Sequence, residues 1–189
     1  MKNLKTIAIA LVAVFSTATV SAQNKKINVG TSSIDWVGKK VTGAHTGKIN
    51  FSSGTLVFKG DKLKGGEFVV DMNSITVTDL EAGKGKEKLE GHLKADDFFG
   101  VDKHATASLK FKTIADKGNG NYTITADLTI KKITQTITFD LAVSEGRART
   151  SLMIDRTKFD IKYGSGSFFD GLGDKAINDE FELTVNLLF

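Results

Sequence analysis

The chain has 189 residues, with 26 basic and 22 acidic side chains and a formal net charge of +4 at pH 7. This near balance excludes the strongly basic surface of a nucleic-acid-binding protein, so we expect no nucleic-acid partner. The chain contains no cysteine, which excludes disulfides, thiolate metal sites and a lipid-bearing cysteine.

The first predicted element is a removable leader. Lysines precede the apolar run 7–15, and a small-residue cleavage motif ends at Ala22. This order is typical of a secretory signal peptide, and the run is shorter than the roughly 20 residues that span a bilayer. We therefore expect residues 1–22 to be removed and residues 23–189 to form a single domain, periplasmic or secreted, without a stable membrane anchor. An uncleaved anchor is the alternative.

Four short segments after the leader have the composition of β-strands. Apolar and polar residues alternate around Trp36, Phe51 and Phe58, and residues 68–72 form a further run. Alternation places apolar side chains on one face of a strand and polar ones on the other. Glycines between these segments predict turns, namely Gly54, Gly60, Gly65 and Gly66.

The segment 78–100 breaks this pattern and predicts the only helix. It is polar, and Leu89, His92 and Leu93 recur at helical spacing. Two glycines upstream oppose an earlier start, so we predict a helix within about residues 85–98.

The second half of the chain returns to alternation. Residues 122–130, 136–143 and 181–187 alternate most regularly, and shorter strands are predicted near Phe111 and at 151–154. About eight strands joined mostly by short turns favour antiparallel pairing.

A closed barrel or a two-sheet sandwich is the economical arrangement of such strands, because free edges invite aggregation. The chain has no proline to blunt an edge, which favours closure. An eight-stranded interior is either filled by side chains or holds one slim ligand. Four glycines within 163–178 predict a long loop before the last strand.

Phenylalanine dominates the aromatic residues, with 13 against 2 tyrosines and 1 tryptophan. It provides bulk without a hydroxyl, which suits a dry core or an apolar ligand channel. The doublets Phe98-Phe99 and Phe168-Phe169 lie in irregular segments, where they either gate a cavity mouth or fix helix and loop onto the barrel.

The polar residues give no motif for catalysis. His45, His92 and His104 lack the spacing of a metal site, so no metal is expected. Asp96-Asp97 has the residue type for general acid–base chemistry, although a helix cap or a solvated turn is its more common role. Without a nucleophile elbow or a phosphate-binding loop, we expect neither an enzyme nor a cofactor.

Several segments, taken in order, resemble the YceI-like family. They are Ser33–Trp36, His92–Phe99, Tyr122–Thr134, Ile154–Ile161 and Gly173–Leu188. The resemblance covers about residues 30–189 and implies an all-β, antiparallel, closed, lipocalin-like barrel of about eight strands. It also implies an exported protein without catalytic activity that holds an isoprenoid lipid, such as an isoprenoid quinone or a prenyl phosphate, in a long apolar pore.

The residues expected to bind this ligand form two groups. Positions that match the family motifs are His92, Leu93, Phe98, Phe99, Arg156 and Phe159. Apolar positions on the strands are Trp36, Phe51, Phe68, Phe111, Leu128 and Phe139.

The chain also departs from the family pattern. Leu89 and Glu90 stand where the family often has Arg-Asp, the family's proline is missing near Ala105, and Asp160 replaces a glycine. The missing arginine removes one partner for a charged headgroup, which favours an apolar tail over a pyrophosphate.

Three functions remain open. A lipid-binding barrel would serve transport, storage or stress response and needs a continuous apolar cavity. A cell-envelope scaffold predicts a filled barrel and an exposed apolar patch on residues 163–178. An enzyme acting on a lipid needs His92 with Asp96 or Asp97 facing the cavity. A homodimer is compatible with each of them.

Overall fold

The computed structural model describes residues 21–189. All but the end of the predicted leader therefore lies outside the described residues. The elements are β1 (Ala22–Lys26), β2 (Ser33–Lys40), β3 (Gly43–Lys59), β4 (Lys62–Val77), α1 (Lys86–Lys94), β5 (Thr106–Gly118), β6 (Asn121–Ile130), β7 (Ile133–Ser144), β8 (Arg147–Asp155) and β9 (Ile177–Leu188). Two 3₁₀ turns, Arg156–Phe159 and Gly173–Lys175, lie between β8 and β9.

The strands form one antiparallel sheet that closes on itself. Their order is β3-β2-β9-β8-β7-β6-β5-β4, and β4 pairs back with β3. Strand β1 continues the line of β2 along β3, because Lys26 lies opposite Thr55 and Ile34 lies opposite Ile49. The two share one position in the barrel, which confirms the predicted closed, lipocalin-like barrel of eight strands.

Strands β3 and β4 are longer than predicted, at 17 and 16 residues. The turns predicted at Gly54 and at residues 65–66 are wrong, since these glycines lie inside the ladder. A Cβ on Gly54 would be 2.6 Å from the Phe68 ring, and one on Gly66 would be 2.6 Å from Phe111. These glycines make room for phenylalanine rings and do not turn the chain.

One end of the barrel, here called the hairpin end, carries the β3–β4, β5–β6 and β7–β8 turns. Buried side chains fill it, including Leu56, Leu63, Tyr122 and Ile124. The Tyr122 hydroxyl accepts a hydrogen bond from the Leu63 N–H at 3.3 Å. Close packing around a satisfied polar group seals this end.

The opposite end, here called the helix end, carries α1 and the segment between β8 and β9. The predicted helix within 85–98 is confirmed at Lys86–Lys94, and turns follow to residue 103. Glu90 Oε1 accepts a hydrogen bond from the Val77 N–H at 2.8 Å, which ties α1 to the end of β4. Among the described residues, no helix is long and apolar enough to cross a membrane.

Candidate functional site

The middle of the barrel contains two adjacent apolar cavities. The upper cavity, towards the helix end, has a volume of about 150 Å³, and the lower one about 100 Å³. Apolar cavities of about 150 Å³ stay dry and accept small apolar guests. Five residues line both cavities and mark their junction: Ile34, Val70, Ala107, Leu128 and Leu183.

The interior is therefore hollow at its centre. Leu152, Leu183 and Val185 line the cavities and remain only half-buried, because no side chain fills the space before them. The packed interior that the scaffold alternative predicts is found at the hairpin end and not in the middle of the barrel.

The upper cavity collects predicted residues from both halves of the chain. Trp36, Leu93, Phe98 and Phe99 form part of its wall, together with Arg156. The rings of Phe98 and Phe99 meet edge to face at 5.2 Å between centroids. The first phenylalanine doublet thus packs at the helix end and at the same time lines the cavity.

The lower cavity is walled by a row of phenylalanines. The Phe51–Phe68, Phe68–Phe111 and Phe111–Phe139 ring centroids are 6.0, 5.8 and 6.2 Å apart. These four residues come from β3, β4, β5 and β7, and all four were predicted. Aromatic rings at such spacing give an apolar wall without hydrogen-bonding groups.

Arg156 is almost fully buried, at 2% exposure. Its Nη1 donates to the carbonyl oxygens of Ile161 and Tyr163 at 2.8 and 2.9 Å. Its Nε donates to Asn178 O and its Nη2 to Ile177 O, each at 3.0 Å. The guanidinium therefore holds the loop before β9 against the turn after β8.

The electrostatics of Arg156 fit this structural role. Burial lowers the pKa of its guanidinium, while the charges of Asp179 and Asp155 oppose that shift. Asp179 Oδ1 lies 3.5 Å from Nη2. Because its hydrogen bonds are made with backbone carbonyl oxygens, Arg156 has few donors left for a lipid headgroup. It contributes to the cavity wall mainly as a packed side chain.

Two predicted residues, His92 and Phe159, do not line either cavity. The His92 ring packs edge-on against Tyr163 at 4.4 Å and against Phe98 at 5.6 Å. Phe159 is 1% exposed in its 3₁₀ turn. Both His92 and Phe159 therefore pack at the helix end, outside the residues that line the cavities.

The arrangement of His92 with Asp96 or Asp97 that was considered for an enzyme acting on a lipid is not formed. Asp96 and Asp97 are exposed, and neither they nor His92 lines a cavity. Lys103 donates to Asp96 at 2.5 Å, and this hydrogen bond holds the pKa of that carboxyl below its usual value. In residues 21–189, no cluster of three or more His, Asp or Glu side chains could hold a metal ion.

The second phenylalanine doublet faces solvent. Phe168 and Phe169 are 50% and 51% exposed, and Tyr163 on the same loop is 47% exposed. Neither phenylalanine lines a cavity, so they do not plug one. They form the exposed apolar patch that the scaffold alternative predicts.

The sequence interpretation identified one of the five junction residues, Leu128, and missed the other four. Three of these residues, Ile34, Val70 and Leu183, lie on segments predicted as strands. They were not predicted to bind the ligand, because the prediction favoured phenylalanine over other apolar residues. The fourth, Ala107, has a small side chain that does not suggest a ligand contact in the sequence. Its small size leaves space at the junction of the two cavities. Alternation in β2, β4, β5 and β9 was the signal that could have found them.

The family model and the relatives with similar sequences agree on one family. The model of the YceI-like domain matches residues 19–189. A UPF0312 protein of Shewanella denitrificans is 32% identical over 102 residues, which is 53% of this chain and 51% of that protein. Another UPF0312 protein, from Shewanella sp. strain MR-4, is 28% identical over 145 residues, or 74% and 72% of the two chains. The chain spans about half the length of the first of these relatives.

Solved structures share the fold. BcnA of Burkholderia cenocepacia superposes with a TM-score of 0.69 at 21% identity, over 86% of this chain and 99% of that one. A polyisoprenoid binding domain of Saccharophagus degradans, implicated in plant cell wall breakdown, gives 0.58 at 14% identity, over 86% and 95%. A Campylobacter jejuni YCEI protein gives 0.53 at 14%, over 98% and 96%. At these identities the likeness establishes the barrel fold.

Proposed function

Because the chain belongs to the YceI-like family, we propose that it is an exported protein that binds an isoprenoid lipid in its barrel. Transport, storage and a stress response would all use such a complex. The observation that supports the proposal is the pair of apolar cavities that share five lining residues along the centre of the barrel. The polyisoprenoid binding domain with the same fold adds support.

Part of an isoprenoid tail suits these cavities, which are small and apolar. It is long, thin and uncharged, and burial contributes about 25 cal/mol per Å² of apolar surface before the costs of association. Phenylalanine, leucine, isoleucine and valine provide most of the wall, so the tail needs no polar partner.

We further propose a neutral head, such as a quinone, in preference to a prenyl phosphate. The wall of the upper cavity is almost wholly apolar, so a buried phosphate would find few hydrogen-bond partners there. Arg156 is the cation in this wall, and its donors are bonded to backbone carbonyl oxygens. It therefore does not compensate the charge of a phosphate.

The remaining assignments follow from the same proposal. The protein works without catalytic residues or a cofactor. Residues 23–189 act as one periplasmic or secreted domain after removal of the leader.

A second candidate function is supported by the exposed loop. The loop exposes about half of each of the side chains Tyr163, Phe168 and Phe169, and a cell-envelope scaffold could use such exposed apolar groups to contact a partner protein. On this alternative the cavities would stay empty in the cell.

Native mass spectrometry of detergent-free protein from its own compartment, followed by organic extraction, separates the two. We expect a stoichiometric adduct that releases an isoprenoid quinone. A clean ligand-free mass, with no uptake of added isoprenoid quinone or prenyl phosphate, would reject the lipid-binding proposal and favour the scaffold.

A further inference from the structure

The barrel ladder is incomplete between β7 and β8. These strands pair only where residues 142–144 of β7 face residues 147–149 of β8. On its other side, β7 pairs with β6 from Ile133 to Ala142, and β8 pairs with β9 along its whole length. The two strands therefore splay apart towards the helix end, each held by its other neighbour.

Two side-chain hydrogen bonds frame the gap. Thr150 Oγ1 donates to the Asp140 carbonyl oxygen at 2.6 Å, and Gln135 Nε2 donates to the Lys158 carbonyl oxygen at 3.1 Å. Between them, no ladder pairing joins the described parts of the two strands. We call this gap the β7–β8 seam, with residues 136–139 on one side and 151–155 on the other.

The lower cavity lies directly behind the seam. Phe139, Leu141, Thr150 and Leu152 come from the two seam strands and line that cavity. Leu141 and Thr150 also line a groove on the outer surface. At this place the same two residues therefore border both the cavity and the outer groove.

A second short ladder, between β4 and β5, is closed in a different way. Its pairing covers residues 67–71 and 106–110. Beyond that stretch the Phe111 ring packs onto Gly66, and Lys62 bonds to Asp116. Side chains therefore cover this second gap, which leaves the β7–β8 seam as the thinner part of the wall.

We propose that an apolar chain enters and leaves the lower cavity sideways, through the β7–β8 seam. Widening the seam requires the loss of at most two side-chain hydrogen bonds, from Thr150 to Asp140 and from Gln135 to Lys158, whereas a fully paired wall would lose a row of ladder bonds. The unpaired peptide groups of the seam are free to bond to water, so their exposure adds little further cost. This inference rests on the proposed lipid-binding function.

The test is a covalent staple across the seam. Extending the pairing of Ala142 with Arg149 places Thr138 opposite Met153, both exposed on the outer face. The chain has no native cysteine, so Thr138→Cys with Met153→Cys can be bridged selectively by bismaleimidoethane. The matched control is Thr125→Cys with Thr138→Cys, which bridges the paired strands β6 and β7, where the two hydroxyls are 3.4 Å apart.

The readout is quenching of Trp36, the only tryptophan, by the isoprenoid quinone menatetrenone in stopped flow. We expect the seam staple to slow both uptake and release by about tenfold or more and to leave the affinity unchanged, because a blocked path slows both directions equally. The β6–β7 staple should change neither rate. Equal rates with and without the seam staple would overturn the proposal and favour passage at the helix end.

A lipid-free measurement keeps the two proposals separable. Leu152→Cys lies at the seam, and Leu128→Cys lies on β6, which is paired on both sides. We expect a water-soluble maleimide to modify Leu152→Cys about tenfold faster, and equal rates would refute the seam as an opening. If menatetrenone quenches no fluorescence even without a staple, the lipid-binding proposal fails, while the maleimide rates still decide whether the seam opens.

Discussion

The ring of Trp36 packs against the backbone of Gly47, its register partner on β3. A Cβ on Gly47 would be 2.4 Å from Trp36 Cζ2 and 1.9 Å from the carbonyl oxygen of Thr76. The wall of the upper cavity therefore depends on a position where the neighbouring strands leave no room for a side chain.

Gly47→Ala should consequently destabilise the barrel. The contact with a backbone oxygen cannot be relieved by a rotamer change, so we expect a loss of about 2 kcal/mol in the free energy of unfolding and a shifted Trp36 emission. Urea denaturation followed by fluorescence measures both.

Gly91→Ala on α1 is the matched control, because nothing lies within 4 Å of its Cβ position. That change should be neutral or raise stability by about 0.5–1 kcal/mol. Equal stability of Gly47→Ala and the native protein would show that β3 moves away from β4 more easily than this packing implies.

Ala107→Phe should block the junction between the two cavities. Ala107 lines both, and the new ring would fill empty space, so we expect the unfolding free energy to change by no more than about 1 kcal/mol. Quinone affinity, measured by Trp36 quenching, should fall at least about tenfold. Ala115→Phe, at an exposed position of the same strand, should leave affinity unchanged. Undiminished binding in Ala107→Phe would place the lipid elsewhere.

Arg156→Lys should weaken the fold even though the charge is kept. A lysine cannot donate to the four carbonyl oxygens that the guanidinium reaches, among them Ile161 and Ile177. Leaving buried acceptors unpaired should cost about 3 kcal/mol or more, measured by thermal and urea denaturation. Native-like stability of Arg156→Lys would mean that water replaces the missing donors.

Asp79 should contribute to acid sensitivity at the helix end. Burial raises the pKa of this carboxyl. Hydrogen bonds from the Thr46 N–H at 2.9 Å and from His45 at 2.8 Å lower the pKa, and together the lowering effects are larger, so the net shift is downward. A lowered carboxyl pKa stabilises the folded state above the unfolded value of 3.8, and this stabilisation disappears as the pH falls through the lower folded value.

Comparing Asp79→Asn with the native protein by urea denaturation tests this sign. The difference in unfolding free energy should shrink as the pH falls below about 4, where the Asp79 carboxyl becomes protonated. A difference that grows on acidification would contradict the direction of the shift.

Local sequence patterns were sufficient for most of the barrel. Alternation identified β6, β7 and β9 because one face of each strand meets the cavity and the other meets water. Gly54 misled the interpretation because a glycine that makes room for Phe68 and a glycine that turns the chain look alike in one dimension.

The parts that could not be predicted depend on partners distant in sequence. The bonds from Arg156 to Ile177 and Asn178 form only when the loop before β9 folds back. The β7–β8 seam is likewise invisible in the sequence, since β7 alternates as regularly as its fully paired neighbour β6. The departure at Asp160 is explained by its left-handed backbone, with φ of 59°, which glycine adopts freely and aspartate tolerates.

The packed floor formed by Leu56, Leu63 and Tyr122 makes the barrel a blind tube. A blind tube works as a ruler, because a tail that has reached the bottom can go no further and every additional isoprene unit must remain outside. The number of units that fit is then set by the length of the cavities above the floor, so shortening the floor side chains would change the preferred chain length rather than the strength of binding.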